Sequence, residues 1–242
     1  MTSLLTPQEF LFLLVVFIAN TVESMTGFAG TLLAMPASMQ LIGVDEAKTV
    51  LNVISLLCCI WITISCYKDT NWKQLFKISI YMILGMIVGI LLFDVVPVSI
   101  LLKFYALLII FIALRKFFAK KDFTLSPNIL IWIVVMAGVV HGLFLSGGSL
   151  LVIYAATALK TKKEFRATLA PLWVILDSFL FINQVRLGHV NETTIPLILW
   201  SIIPLILGIM LGIKLFPKIN HQNFLKLTYI LLFISGISLL LT

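Results

Sequence analysis

Long uncharged runs follow one another along the chain, separated by short polar junctions. A helix that crosses a bilayer needs about 20 largely apolar residues, and fewer where flanking lysines reach back to the interface. Four runs meet this requirement: Thr49–Tyr67, Ile78–Phe93, Thr193–Ile213 and Leu227–Thr242. The pattern predicts an all-α membrane protein that forms a single transmembrane domain over residues 1–242.

Two further stretches have the wrong length for crossing helices. Phe10–Val44 carries Glu23 as its only charge, and Phe123–Leu159 carries no charge apart from that of His141. Each stretch is too long for one upright crossing and too short for two, and small residues interrupt each of them, TGFAGT in the first and SGGS in the second. A helix break is tolerated inside a bilayer only where the freed backbone is buried in protein or faces a wet cavity. We predict two broken helix pairs that each enter and leave on the same side.

The two interrupted stretches align with each other. Gly148 follows Gly30 by 118 residues, and the same offset pairs further residues of matching character. These pairs are Glu23 with His141, Thr31 with Ser149, Glu46 with Glu164 and Lys48 with Arg166. We therefore predict an internal repeat, with one copy at about residues 7–119 and the other at about 126–242.

Basic residues predict the orientation of the two repeats. They cluster at four junctions: Lys68, Lys73 and Lys77; Arg115, Lys116, Lys120 and Lys121; Lys160, Lys162, Lys163 and Arg166; Lys214, Lys218 and Lys226. The positive-inside rule places all four clusters in the cytoplasm. Each repeat then consists of one broken re-entrant pair and three transmembrane helices. An odd number of crossings inverts the second repeat relative to the first, and both termini are predicted to be external.

Composition supports the same class. The chain has 61% hydrophobic residues, 11% charged residues and a net charge of +7, whereas soluble domains carry about 25% charged residues. Because the positive charge lies at helix ends, membrane topology accounts for it, and no nucleic-acid partner is predicted. Cys58, Cys59 and Cys66 share one predicted helix without metal-ligand partners nearby, so we interpret them as packing residues. No metal or other cofactor is predicted.

Each break exposes the start of a short half-helix, at about Thr31–Ile42 and Ser149–Leu159. The first amides of a helix have no partner within it, and the helix dipole adds a partial positive charge there. Two such starts that converge in a membrane form a site for a small anion. Glycine has no side chain, so the anion can approach the backbone closely there. The predicted substrate-binding residues are Thr26, Gly27, Ala29, Gly30, Thr31, Asn52, Ser146, Gly147, Gly148 and Ser149.

Charged residues deep in the predicted helices are costly in lipid and therefore face the protein interior. Glu23, His141 and Asp177 are candidates for proton coupling, and histidine changes its protonation near neutral pH. Structural roles stay open for all three: a hydrogen bond at a frayed helix end, helix packing or a local hydrogen bond. Lys48 and Arg166 are candidates for steering anions from opposite sides, or are solvated charges at helix ends.

Three segments resemble a known family. GFAGTLLAMP (Gly27–Pro36), GLFLSGGSLLVIY (Gly142–Tyr154) and KKEFRAT (Lys162–Thr168) are similar to segments of the TauE/SafE sulfite exporter family. The resemblance covers essentially the whole chain. It implies transport of sulfite, an organosulfonate or a related sulfur-containing anion across a bacterial or archaeal inner membrane. Five residues depart from the family pattern: Ala29, Thr31, Leu145, Ser149 and Tyr154.

Pattern and resemblance together predict a secondary transporter, with export as the expected direction, whose inverted halves rock about the bound anion. A passive anion channel or an importer of a different small anion is the alternative. Enzyme activity is not predicted, because FLSGGS has Phe144 where an intramembrane serine protease has glycine, and no nucleophile–base pair is available. The small-residue spacings Gly85/Gly89 and Gly208/Gly212 predict helix packing within the chain. The chain is expected to be a monomer or a homodimer.

Overall fold

The computed structural model describes residues 6–118 and 126–218, with isolated positions between 230 and 240. Within these ranges the chain forms α-helices joined by short loops, and no strand is found there. The helices are α1 Pro7–Thr26, α2 Gly30–Ile42, α3 Val44–Cys66, α4 Trp72–Val95, α5 Val98–Phe118, α6 Pro127–Phe144, α7 Gly148–Ala158, α8 Lys162–Arg186 and α9 Thr194–Leu215. A short 3-10 turn at Tyr67–Asp69 follows α3. The predicted all-α class is confirmed.

Six helices of the described ranges are long and apolar enough to cross a membrane, namely α1, α3, α4, α6, α8 and α9. Helices α2 and α7 are shorter apolar helices, and α5 contributes an apolar segment over Val98–Phe111. Large apolar side chains such as Ile64 and Ile182 are exposed on the outside of the bundle, where lipid rather than water is the solvent. The predicted crossing helix Leu227–Thr242 lies outside the described ranges except for isolated positions.

Both interrupted stretches are broken at the predicted places, between α1 and α2 and between α6 and α7. The first helix of each pair ends on a residue with a left-handed backbone, Gly27 with φ of 79° and Leu145 with φ of 55°. These two residues are related by the offset of 118. Glycine adopts this conformation without steric cost, whereas leucine loses roughly 1 kcal/mol. Leu145 nevertheless adopts the same left-handed conformation as Gly27, although leucine stands there instead of glycine.

Helices α3 and α8 run antiparallel at the centre of the bundle. Near the start of α3, Gln184 Nε2 donates to the backbone oxygen of Lys48 at 3.2 Å. Beyond the end of α3, the Thr70 hydroxyl donates to the backbone oxygen of Ala167 at 2.9 Å. Opposite ends of α3 therefore contact the last and the first turns of α8. Inverted repeats require this direction, since α3 and α8 are corresponding helices.

Glycines bring the outer helices into close contact. A Cβ added at Gly85 or Gly89 in α4 would overlap the backbone of α6, and one added at Gly208 or Gly212 in α9 would meet α1. Both predicted small-residue spacings thus pack within the chain. Helix α4 lies against α6 and helix α9 lies against α1. If the predicted repeats are counted from α1 and from α6, the fourth helix of each packs on the first helix of the other.

Gly85→Val is expected to prevent correct folding. The added Cβ would overlap the backbone oxygen of Val135 and lie 2.9 Å from its carbonyl carbon. Backbone atoms of a packed helix cannot move aside locally, so α4 and α6 would have to separate. We expect a loss of the monodisperse peak in detergent and a much lower melting temperature. Leu84→Val, at a lipid-facing position of the same helix, is the matched control, and equal behaviour of the two variants would contradict the packing described.

Three of the four basic clusters have members at one end of the bundle. Lys162 Nζ donates to the backbone oxygen of Phe216 at 2.7 Å, and Asn71 Nδ2 donates to Glu164 Oε1 at 2.7 Å. These contacts bring together the α3–α4 junction, the start of α8 and the end of α9. The positive-inside prediction requires such a common end, and its assignment to the cytoplasm stays a prediction. Lys120, Lys121 and Lys226 lie outside the described residues.

Candidate functional site

The two breaks contact each other in the interior of the bundle. Thr31, in the first turn of α2, donates its hydroxyl to the backbone oxygen of Leu145 at 2.7 Å. A Cβ added to Gly148, the first residue of α7, would lie 2.9 Å from the backbone oxygen of Phe28. Trp173 Nε1 donates to the Gly27 backbone oxygen at 2.7 Å and so ties the first break to the middle of α8. The starts of α2 and α7 therefore lie together, buried, midway along the crossing helices.

These two helix starts have no side-chain cap. Their N-cap residues are Ala29 and Gly147, neither of which carries a hydrogen-bonding side chain. Side chains cap the starts of α1, α4 and α8, namely Thr6, Asn71 and Thr161, whereas α3, α6 and α9 also begin without a side-chain cap. A buried helix start without a cap leaves amides and a partial positive charge to attract an anionic group.

The four predicted hydroxyl donors are buried and all donate to backbone carbonyls. Besides the Thr31 bond, Thr26 donates to Val22 at 2.9 Å, Ser146 to Phe144 at 2.8 Å and Ser149 to Ser146 at 3.1 Å. Each hydroxyl of the closed state is therefore already bonded to the protein backbone. A hydroxyl that binds an anion has to exchange such a bond for one to the ligand.

Glu23 lies in the last turn of α1 and is buried against the start of α2. Its Oε1 accepts hydrogen bonds from Ser55 Oγ at 3.0 Å and from Cys59 Sγ at 3.5 Å, both in the middle of α3. The carboxylate also occupies the space that a side chain on Gly30 would fill. A carboxyl group therefore lies beside the start of α2, where the helix dipole favours a negative charge.

His141, which follows Glu23 by 118 residues, takes the corresponding place in the second predicted repeat. Its Nε2 lies 3.0 Å from Asp177 Oδ1, and its ring centroid lies 5.0 Å from that of Trp173. Ser55 and Cys59 are related to Trp173 and Asp177 by the same offset of 118. One contact pattern thus occurs twice: the end of the first helix touches two positions, one turn apart, on the third helix.

Asn52 links α3 to α8 beside Asp177. Its Nδ2 donates to the backbone oxygen of Asp177 at 3.1 Å and to Gln184 Oε1 at 3.0 Å. Several buried polar atoms of α3, α6 and α8 have no hydrogen-bond partner within the described part of the chain, among them Asn52 Oδ1, His141 Nδ1, Arg166 Nε and Asp177 Oδ2. Such atoms are rare in folded proteins and are usually satisfied by water or a ligand.

Lys48 and Arg166 are buried, so the interpretation of these residues as solvated charges is wrong. Each is 9% exposed. Lys48 Nζ lies 3.7 Å from the ring centroid of Phe93, and Arg166 Cζ lies 4.9 Å from that of Phe216. Because α3 and α8 are antiparallel, the two cations lie toward opposite ends of the bundle.

Sequence reasoning missed several partners of the predicted residues. Ser55 and Trp173 received no role, and Cys59 was interpreted only as a packing residue although it contacts Glu23. The repeat offset could have found Cys59, since it relates Cys59 to the predicted candidate Asp177. Tyr105, whose hydroxyl donates to Ser146 Oγ at 2.7 Å, has no such signal because it is one aromatic residue among many in α5.

Six potential crossing helices of the described ranges, and two breaks that meet in a buried polar centre, define a multi-pass membrane protein. Residues 12–239 match the family model of the sulfite exporter TauE/SafE, which covers nearly the whole chain. The chain belongs to this family, whose members are transporters rather than enzymes. No curated protein and no solved structure gave a significant match.

Proposed function

We propose that the chain is a secondary transporter that exports a small sulfur-containing anion such as sulfite, thiosulfate or an organosulfonate. The observation that carries the proposal is the meeting of two buried, uncapped helix starts midway along α3 and α8. Amides and dipoles of both helices act on one point there, and a low-dielectric surrounding strengthens their pull on a negative charge. Membership of a sulfite exporter family supports the chemical class of the anion.

Anion binding requires the two breaks to separate. They touch through Thr31 and Leu145 and through Gly148 and Phe28, so the state described here is closed around the site. Rocking of two inverted halves about this point would open it first to one side and then to the other. The antiparallel α3 and α8, and the contact pattern that Glu23 and His141 share, support such inverted halves.

The predicted ligands fall into three groups in this proposal. The backbone at Gly27, Ala29, Gly30, Gly147 and Gly148 lets the anion approach the amides. Thr26, Thr31, Ser146 and Ser149 exchange their carbonyl bonds for bonds to the anion. Asn52 contributes its amide only after it releases α8.

Proton coupling follows from the position of Glu23. Its carboxylate lies against Gly30, where the anion is to bind, and two negative charges at one buried point repel each other strongly. Anion binding therefore favours protonated Glu23, so that proton and anion are carried together. His141 and Asp177 offer a second protonatable pair at the corresponding place.

Because the proton and the anion are carried together, the direction of transport depends on the gradients of both. A high internal anion concentration drives export, whereas an inward proton gradient favours import. An importer of a small anion is therefore the second candidate, and the contact between Glu23 and Gly30 is the observation that favours it. We place the protein in a bacterial or archaeal inner membrane, with the basic end of the bundle in the cytoplasm and both termini external.

Flux in proteoliposomes tests the substrate class. We expect sulfite, thiosulfate or a short organosulfonate to be transported, chloride not to be transported, and an imposed pH gradient to produce accumulation above equilibrium. Protein-free liposomes and the folding-deficient Gly85→Val variant are the controls. A passive anion channel would be favoured if chloride moved as fast as the sulfur anions, or if the internal concentration of the anion never rose above its equilibrium value.

A further inference from the structure

Two buried cations of this chain lie over phenylalanine rings. Lys48 in α3 lies over Phe93 at the end of α4, and Arg166 in α8 lies over Phe216 just after α9. The ring of Phe216 is also faced by Lys162 Nζ, at 3.8 Å from its centroid. Lys48 and Arg166 are related by the offset of 118. Phe216 follows Phe93 by 123 residues, the offset that also relates the glycine pairs of α9 to those of α4. The two cation–ring pairs are thus corresponding features of the repeats, one toward each end of the bundle.

Neither cation has a carboxylate within ion-pair distance in the ranges that the structure describes. Arg166 Nε also has no hydrogen-bond partner there. A ring face attracts a cation through its quadrupole, but a full negative charge attracts it more strongly in a buried setting. An anion that reaches either cation can therefore take it from its ring.

Each pair is connected to one of the two breaks. Phe93 packs edge-on against Phe144 with centroids 6.2 Å apart, and Phe144 stacks on Tyr105 at 4.7 Å. Phe144 directly precedes Leu145, and Tyr105 donates to Ser146 in the second break. We call Phe93, Phe144 and Tyr105 the ring column.

At the other end of the bundle the connection is direct. The backbone oxygen of Arg166 would lie 3.0 Å from a Cβ added to Gly27, the left-handed residue of the first break. Phe28, the next residue, packs edge-on against Phe165 at 5.6 Å. A movement of the first turn of α8 therefore reaches the first break.

We propose that Lys48–Phe93 and Arg166–Phe216 are the outer and inner gates of the anion pathway. This inference rests on the proposed transport function. While a cation stays on its ring, the ring column or the first turn of α8 holds the adjacent break closed. An arriving anion draws the cation away, the ring is released, and the break on that side opens while the opposite pair stays closed.

Thiol labelling tests the gates without any transported substrate. Cys59 touches Glu23 in the polar centre, so a chain with Cys58→Ala and Cys66→Ala keeps one native reporter. An impermeant anionic thiosulfonate reagent is added to one face of oriented vesicles. We expect Phe93→Leu and Lys48→Met to speed labelling of Cys59 about fivefold from the outer face only, and Phe216→Leu to do so from the inner face only.

Control variants separate gating from packing. Phe93→Tyr keeps the ring face and should label as the parent chain does. Phe76→Leu, at a lipid-facing position of the same helix, should also leave labelling unchanged. Unchanged labelling in the Phe93 and Phe216 variants, or an equal rise from both faces, overturns the proposal. If labelling is side-selective but the protein transports no sulfur anion, the gate proposal stands and only the proposed substrate is rejected.

Discussion

Gly148→Val is expected to reduce anion transport to the level of protein-free liposomes. A Cβ at this position would lie 2.9 Å from the backbone oxygen and 3.0 Å from Cδ2 of Phe28. Valine would add two further carbons where the start of α7 packs against Phe28. The anion could then no longer reach the amides of both helices at once. Sulfite flux at a fixed protein density is the measurement.

The matched control for this variant is Leu150→Val, two residues further along α7. It changes the size of a half-buried apolar side chain without adding atoms between the breaks, so near-normal flux is expected. Thermal melting in detergent shows whether each variant is folded. Normal flux in a well-folded Gly148→Val protein would show that the anion does not bind where the starts of α2 and α7 meet.

Glu23→Gln is expected to separate transport from the pH gradient. Glutamine has nearly the same shape and can still accept the hydrogen bond from Ser55, but it cannot bind or release a proton. The neutral side chain also removes the charge that competes with the anion at Gly30. We expect accumulation driven by a pH gradient to fall to the level reached without one, while anion exchange at equal pH persists.

Glu9→Gln is the control for this prediction. Glu9 belongs to the same helix as Glu23, but its carboxylate caps the start of α1 through the Thr6 amide at 2.7 Å. Its neutralisation should leave coupling intact. If Glu23→Gln accumulates anion under a pH gradient as the parent chain does, Glu23 does not carry the coupled proton, and His141 with Asp177 becomes the candidate.

The breaks could be predicted because the sequence carries them locally, and the internal repeat stays a prediction. Small residues interrupt two apolar stretches that are too long for one crossing and too short for two, and the offset between Gly30 and Gly148 is visible without a structure. The left-handed end of α6 at Leu145 could not be read from its residue type, since leucine disfavours this conformation. It follows instead from the tertiary packing around the break, where Leu145 accepts the Thr31 bond.

The surroundings of the charged residues could be predicted less well. Lys48 and Arg166 stand near helix ends, where lysine and arginine usually reach water, and only the fold brings Phe93 and Phe216 over them. The serine and threonine hydroxyls were expected as donors to an anion, yet in the closed state backbone carbonyls accept from them. Which partner a side chain bonds to depends on three-dimensional distances, and the order of residues along the chain does not contain these distances.

The central claim is that an anion binds between the starts of α2 and α7. Selenite, the selenium analogue of sulfite, scatters X-rays anomalously, so crystals of the protein grown with selenite locate the bound anion directly. We predict an anomalous peak within hydrogen-bonding reach of the backbone amides of Thr31 and Ser149, which Gly148→Val removes. A peak only at the bundle surface, or a peak between the breaks that persists in Gly148→Val, would contradict the account.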